Sequence, residues 1–165
     1  MKQIRLNVKT KTQKYPIIIG KHLCSKISQL SKVNKIYFKK CLLIVDKNIP
    51  KNFVSKIKKS LKQKKVLVYY FHASEINKNI HSINKILKNL LKNNFSREDC
   101  IISVGGGITG DVAGFAASLF KRGIKFINLP TTLLSQVDSS IGGKTGVNTR
   151  YGKNLIGSFY QPNLV

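Results

Sequence analysis

An apolar run, Ile101–Val104, breaks directly into Gly105, Gly106 and Gly107 and gives way to a small apolar stretch, Asp111–Phe120. Few folds accommodate that order. A short continuous apolar run bounded by glycine reads as a strand buried on both faces, as in parallel sheets covered by helices. The small residues after it have the pattern of a helix packed close against such a sheet. The rest of the chain agrees. Strands are predicted at Ile4–Val8, Tyr15–Ile19, Cys41–Val45, Val66–Phe71, Ile101–Val104 and Lys125–Leu129, with helical patterns between them. Apolar spacing is loose over His22–Lys32. Phe53, Val54, Ile57 and Leu61 share one helical face, as do Ile80, Ile83, Leu87, Leu90 and Leu91. The first two strands, joined by a short link, can pair as a hairpin. The expectation is one α/β domain over residues 1–165, with a mostly parallel sheet and helices on both faces.

Glycine divides the chain near Asn93, since eleven of the twelve glycines follow it. Glycine lets backbone N–H groups approach a ligand closely and reach positive φ. Ligand chemistry is therefore expected in the second half, at the carboxyl ends of its strands. The net charge of +24 is distributed the other way. Residues 1–92 hold 23 Lys and Arg against two acids, and residues 93–165 hold seven against four. Aromatic residues are not interleaved with the lysines for base stacking, and no nucleic-acid motif occurs. The lysines read as solvated helix faces with salt-sensitive affinity for polyanions and no specific nucleic-acid partner. Cys24, Cys41 and Cys100 are odd in number and widely spaced, as expected of reduced packing residues in a cytoplasmic protein. No apolar run approaches the roughly 20 residues of a membrane span. The N-terminal MKQIRLNVKT lacks the apolar stretch of a secretory signal.

Two motifs carry chemistry. The first, SVGGGITGDVAGF, spaces Gly105, Gly107 and Gly110 as G-x-G-x-x-G between a strand and a helix, with Gly110 opening the helix. Loop N–H groups and the positive end of that helix would cradle a pyrophosphate. An ordinary dinucleotide fold adds an acid about 20 residues downstream for a ribose hydroxyl, and none stands there. Asp46, at the end of the strand CLLIV, and Glu75, with Lys78 one helical turn on, can supply it. Asp111 falls at the helix N-terminus, where an acid is also stabilising without a further role.

The second motif is LPTTLLSQVDSSIGGKTGVNTRYGKNLIG. Pro130 stops a strand, and Thr131 or Thr132 can cap a short helix while offering hydroxyls to a ligand. Asp138 falls near that helix's end, where the dipole disfavours an anion and calls for a partner such as Lys144 or Lys153. Gly142, Gly143 and Gly146 permit a tight loop around Lys144, and Lys153–Asn154 follow another glycine. Lysines, an aspartate, an asparagine and hydroxyls on glycine-bent loops suit a phosphorylated, hydroxyl-rich substrate.

The runs GGGITGDVAGFAASLFKRGIKF, LPTTLLSQVDSSIGGKTGVN and GKNLIGSFYQP resemble the 3-dehydroquinate synthase family, nearly continuously from Ser103 to Pro162 and more thinly over residues 1–92. Ser74 departs from the glycine that the family usually has before its glutamate. The resemblance implies a Rossmann-like α/β domain followed by a helical C-terminal domain. It implies an enzyme of the shikimate pathway that binds NAD and a divalent metal, zinc or cobalt. Such an enzyme converts 3-deoxy-D-arabino-heptulosonate 7-phosphate into 3-dehydroquinate and phosphate by transient oxidation, elimination, re-reduction and an intramolecular aldol step. By matching motif, Asp46, Glu75, Lys78, Gly107, Ile108, Thr109, Gly110, Asp111, Thr131 and Thr132 would line NAD. Asp138, Lys144, Lys153 and Asn154 would hold the substrate, with Lys144 and Lys153 also near the cofactor. Arg122 would reach the substrate phosphate across a homodimer interface.

The family's metal ligands are one Glu and two His of its C-terminal domain. Here His22, His72 and His81 all lie in the first half and no glutamate follows Glu98, so no metal site is expected in this chain. The expectation is the N-terminal NAD-binding portion of such an enzyme, inactive alone. The alternatives are another sugar phosphate cyclase, such as a 2-deoxy-scyllo-inosose synthase, or a non-catalytic truncated remnant. A relative of glycerol dehydrogenase would leave the lysine–asparagine loop idle.

Overall fold

The computed structural model describes residues 3–10 and 13–165. The first two residues of the basic N-terminus, and residues 11 and 12 of the link between the first two predicted strands, lie outside the described residues. The chain opens with β1 (Ile4–Lys9) and β2 (Lys14–Ile19), which pair antiparallel as the expected hairpin. A single 3-10 turn, Leu23–Ser25, and α1 (Ile27–Val33) fill the loosely patterned segment. Then β3 (Lys40–Asp46), α2 (Lys51–Ser60), β4 (Lys65–Phe71), α3 (Ile80–Lys92), β5 (Cys100–Gly105), α4 (Gly107–Leu119) and β6 (Lys125–Pro130) alternate. The four later strands form a wholly parallel sheet in the order β4-β3-β5-β6.

Period-two alternation in the strands builds two cores, one on each face of the sheet. Leu42, Ile44 and Ile101 point to the layer of α3 and α4, where Ile83, Ile86, Leu90, Val112 and Ala116 meet them. Cys41, Leu43, Val45, Cys100, Ile102 and Val104 point to the layer of α1 and α2, against Ile27, Val54, Ile57 and Leu61. Every residue of β5 is buried, which accounts for its unbroken apolar run. At the other edge, residues 163–165 run beside β6. The Asn163 N–H donates to the Phe126 carbonyl, and the Asn128 N–H to that of Leu164. Val165 in turn exchanges hydrogen bonds with the backbone of Pro16 and Ile18, so this segment joins β2 to the sheet.

Several boundaries differ from expectation. Helix α4 starts at Gly107, so Gly110 and Asp111 lie inside it, and Asp111 is not in its first turn. In α3 the buried stripe is Ile83, Ile86 and Leu90, while Ile80 and Leu91 are exposed. Phe53 is likewise exposed on α2. A helix buries only the arc that faces its sheet, and these residues fall at or beyond its border. Cys41 and Cys100, far apart in sequence, are register partners on neighbouring strands. Both are free and buried, and burial pushes the Cys41 thiol up to about 12. The largest departure is β7 (Lys144–Thr149) and β8 (Gly152–Phe159), an antiparallel hairpin where the sequence reads as glycine-bent loops.

Leu42 is wholly buried in the central sheet. Its replacement by Ala is expected to cost about 3 kcal/mol through lost transfer energy and a residual cavity, measured by urea denaturation.

Candidate functional site

The site is built where β3, β5 and β6 end and α4 begins. Glycine at 105 is required there. A Cβ on it would lie 2.5 Å from Thr109 Oγ1 and 3.1 Å from the Asp46 Cβ. Helix α4 has Gly106 as its N-cap and receives no side-chain cap, so its first-turn N–H groups are left to a ligand or to solvent. Within that turn Thr109 is fully buried and its Oγ1 has no hydrogen-bond partner. Ile108 packs against the core. An uncapped helix N-terminus with an unpartnered hydroxyl fits an anionic group of pyrophosphate type. Asp46, at the end of β3, accepts a hydrogen bond from the Asn48 N–H at 3.0 Å. The Thr131 N–H donates to the Gly105 carbonyl at 2.9 Å, tying the ends of β5 and β6 together. Of the two threonines, Thr132 is the one whose Oγ1 accepts from the Ser135 N–H, at 3.3 Å, where a one-turn π-helix, Ser135–Ser139, begins.

Five of the expected residues converge beside this turn. Lys78, almost wholly buried, places its Nζ 2.5 Å from Asp111 Oδ2 and 2.6 Å from Asn154 Oδ1. Glu75 lies 3.8 Å from Lys153 through its Oε2 and accepts a hydrogen bond from Asn148 Nδ2 at 2.7 Å. Asn154 adopts a left-handed backbone, φ 57°, which asparagine tolerates better than most residues. The two carboxylates respond oppositely. Burial, only partly offset by the Lys78 ammonium, holds the Asp111 carboxyl above its ordinary value. The hydrogen bond from Asn148, assisted by Lys153 and Lys78, holds Glu75 below it.

The remaining expected residues are spread more widely. Lys144 begins β7 and is exposed, at the rim of a crevice that it shares with Gly110, Asp111 and Ser139. Asp138 lies in the π-helix, exposed, and forms no ion pair with Lys144 or Lys153. Solvent hydrates its carboxylate, so the partner anticipated from the helix dipole is not required. Arg122 follows the far end of α4, with φ 63°. Thirteen helical residues at about 1.5 Å each separate it from the glycine turn. Among the described residues, no three His, Cys, Asp or Glu side chains come together as metal ligands. Sequence reasoning passed over Asn148. Nothing marks one polar residue in a polar segment, and its partner Glu75 is 73 positions away.

The sequence model described as 3-dehydroquinate synthase N-terminal matches residues 68–165. The 3-dehydroquinate synthase of Pelagibacter ubique (strain HTCC1062) is 64% identical over 162 residues, spanning 98% of this chain and 44% of the relative. That of Helicobacter pylori (strain HPAG1) is 49% identical over 137 residues, 82% of this chain and 40% of the relative. The chain thus spans less than half the length of these relatives. Among solved structures, a 2-deoxy-scyllo-inosose synthase complexed with carbaglucose-6-phosphate, NAD+ and Co2+ superposes with a TM-score of 0.90 at 29% identity, covering 98% of this chain and 44% of that one.

Breaking the buried pair from one side leaves a charge without its partner. Lys78→Met is expected to cost about 3 kcal/mol at pH 7, and Lys78→Met with Asp111→Asn to recover most of it. Because the Asp111 carboxyl is held above its ordinary value, the protonated form is favoured by folding. Its contribution is fully present below the unfolded value and is lost as pH rises through the folded one. The cost of Lys78→Met is therefore expected to shrink on acidification, measured by urea denaturation at pH 7 and pH 5.

Proposed function

The chain belongs to the 3-dehydroquinate synthase family, and on that premise we propose that it is the NAD-binding portion of an enzyme converting 3-deoxy-D-arabino-heptulosonate 7-phosphate into 3-dehydroquinate and phosphate. The observation that carries this reading is the convergence of Glu75, Lys78, Asp111, Lys153 and Asn154 beside an uncapped helix N-terminus. The N–H groups at the start of α4 would hold the pyrophosphate of NAD around Gly107, Ile108, Thr109 and Gly110. Thr109 Oγ1 would gain the hydrogen bond it lacks. Asp46, Glu75 and Lys78 would accept or donate bonds at the cofactor's hydroxyls, and Thr131 and Thr132 would also line it. When bound, NAD supplies a hydride acceptor for one substrate hydroxyl.

The substrate side falls to Lys144, Lys153, Asn154 and Asp138, on the β7–β8 hairpin and the π-helix that precedes it. Lysine ammoniums at a sugar phosphate neutralise charge as the phosphate departs, and Asn154 orients hydroxyls by donating and accepting. Arg122, remote from this cluster, would serve the site of a second copy in a homodimer. The zinc or cobalt of the family reading does not fit the described residues, which bring no ligand cluster together. The pathway assignment, to aromatic amino acid synthesis in the cytoplasm, rests on the same family reading. No helix among the described residues is long and apolar enough to cross a membrane.

A cyclase acting on another sugar phosphate is the second reading, favoured by the fold of the 2-deoxy-scyllo-inosose synthase. Identity of 64% to a 3-dehydroquinate synthase against 29% to that enzyme supports the first. The test is calorimetric titration of the folded chain with NAD. Weak binding is expected, weakened about tenfold further by Asp46→Asn, with no phosphate released from the heptulosonate phosphate by this chain alone. A folded chain that ignores NAD yet holds RNA against moderate salt would overturn the reading in favour of a basic binding module.

A further inference from the structure

The β7–β8 hairpin and the segment carrying Glu75 and Lys78 come from distant parts of the sequence and meet at one residue. Asn148 stands at the irregularity in the hairpin, where the register shifts between Val147 and Thr149. Such a bulge turns a residue out of its ladder and re-aims it. The Asn148 N–H donates not to β8 but to the Lys78 carbonyl, at 2.7 Å. Its side-chain Nδ2 donates to Glu75 Oε2 at 2.7 Å and lies 3.3 Å from the Glu75 carbonyl oxygen. Its Oδ1 accepts from the Asn154 N–H at 3.0 Å. A short parallel bridge between Asn79 and Asn148 completes the junction.

The backbone N–H and both side-chain polar atoms of this residue are therefore committed, and each commitment ends on a residue of the site. The amide of Asn154 is held so that its side-chain Oδ1 meets Lys78 Nζ at 2.6 Å. The carboxylate of Glu75 is held toward Lys153, 3.8 Å away. Only a carboxamide can do both, since it must donate to an anion with one atom and accept from an amide with the other. Aspartate is isosteric but would set a second carboxylate against Glu75. Alanine would remove both arms.

We infer that Asn148 is the positioning residue of this site, clamping the hairpin to the Glu75–Lys78 segment so that Glu75 and Lys78 keep a fixed geometry for a bound dinucleotide and Asn154 for the substrate beside it. The ligand part of this inference rests on the NAD reading; the clamp itself does not. Two measurements on the full chain separate them. The first is NMR titration of the Glu75 carboxyl without ligand. It is expected to move up toward its ordinary value in Asn148→Ala, a change that general loosening elsewhere in the fold would not produce. The second is NAD affinity, expected to fall about tenfold or more in Asn148→Ala. In Asn148→Asp it is expected to fall further at pH 7 and to recover in part as pH is lowered and the facing carboxyls share a proton. If Asn148→Ala does not fold, a through-hydrogen-bond coupling between the Asn148 nitrogen and the Lys78 carbonyl carbon in the unaltered chain decides the clamp. Its absence would overturn the inference. An unmoved Glu75 titration, with NAD affinity within twofold of the original, would also overturn it. A shifted Glu75 in a chain that never binds NAD would uphold the clamp and sink the cofactor reading instead.

Discussion

The close approach of α4 to everything around it is the constraint on which the site depends. Its first turn lies against the end of β5 only because residue 105 has no Cβ. Midway along it, a Cβ at Gly114 would meet Thr145 Cγ2 at 2.6 Å and the Phe126 ring at 3.1 Å, so the helix also receives the hairpin directly on its backbone. One face of α4 thus closes the core with Val112, Ala113 and Ala116, while its start presents N–H groups at the sheet's edge. Asp111, one turn further in, projects to meet Lys78. Bulkier residues along this helix would separate the sheet, the glycine turn and the hairpin, and the polar groups they carry would no longer meet.

The α/β order was legible because buried parallel strands announce themselves by composition. Leu42–Val45 and Ile101–Val104 can be little else, and their alternating inward neighbours follow from the pleat. The hairpin was not legible. Most of β8 is exposed, and its Gly, Lys, Asn and Ser lack both the alternation and the β-branched bias that mark a strand. Motif spacing nominates the candidate site residues, and five of them converge. Their mutual geometry was hidden, because Lys78, Asp111 and Asn154 come from three elements whose spacing in sequence carries no distance. Asp138 shows the opposite failure: a local dipole argument demanded a partner that solvent makes unnecessary.

The scarcity of acids has a structural as well as a functional side. Glu98 pairs with Lys125 at 2.9 Å across the entry to β6. Asp99, buried, accepts from the Ser96 N–H and the Lys40 N–H, closing the turn that leads into β5. Lys40 itself spans to the Asn93 and Asn94 carbonyls at the end of α3, where a cation complements the helix dipole. Some lysines of this strongly basic chain are therefore structural ties, and the general excess of charge is not one undifferentiated surface.

The stitching of residues 163–165 between β6 and β2 fixes when the amino-terminal hairpin can find its place. Pro16 and Ile18 are bonded to Val165, so these two strands await a segment made almost 150 residues after them. The βα units from β3 to β6 close through pairings between strands no more than two apart in chain order, and can assemble as they emerge. The hairpin β1–β2, by contrast, offers Ile4 and Leu6 to solvent on one side and has no sheet to join on the other until residues 163–165 are in place beside β6. Its docking is an event of high contact order, placed late by chain connectivity alone. Until then an unpaired edge stays open on each piece, a standing invitation to pair with another chain.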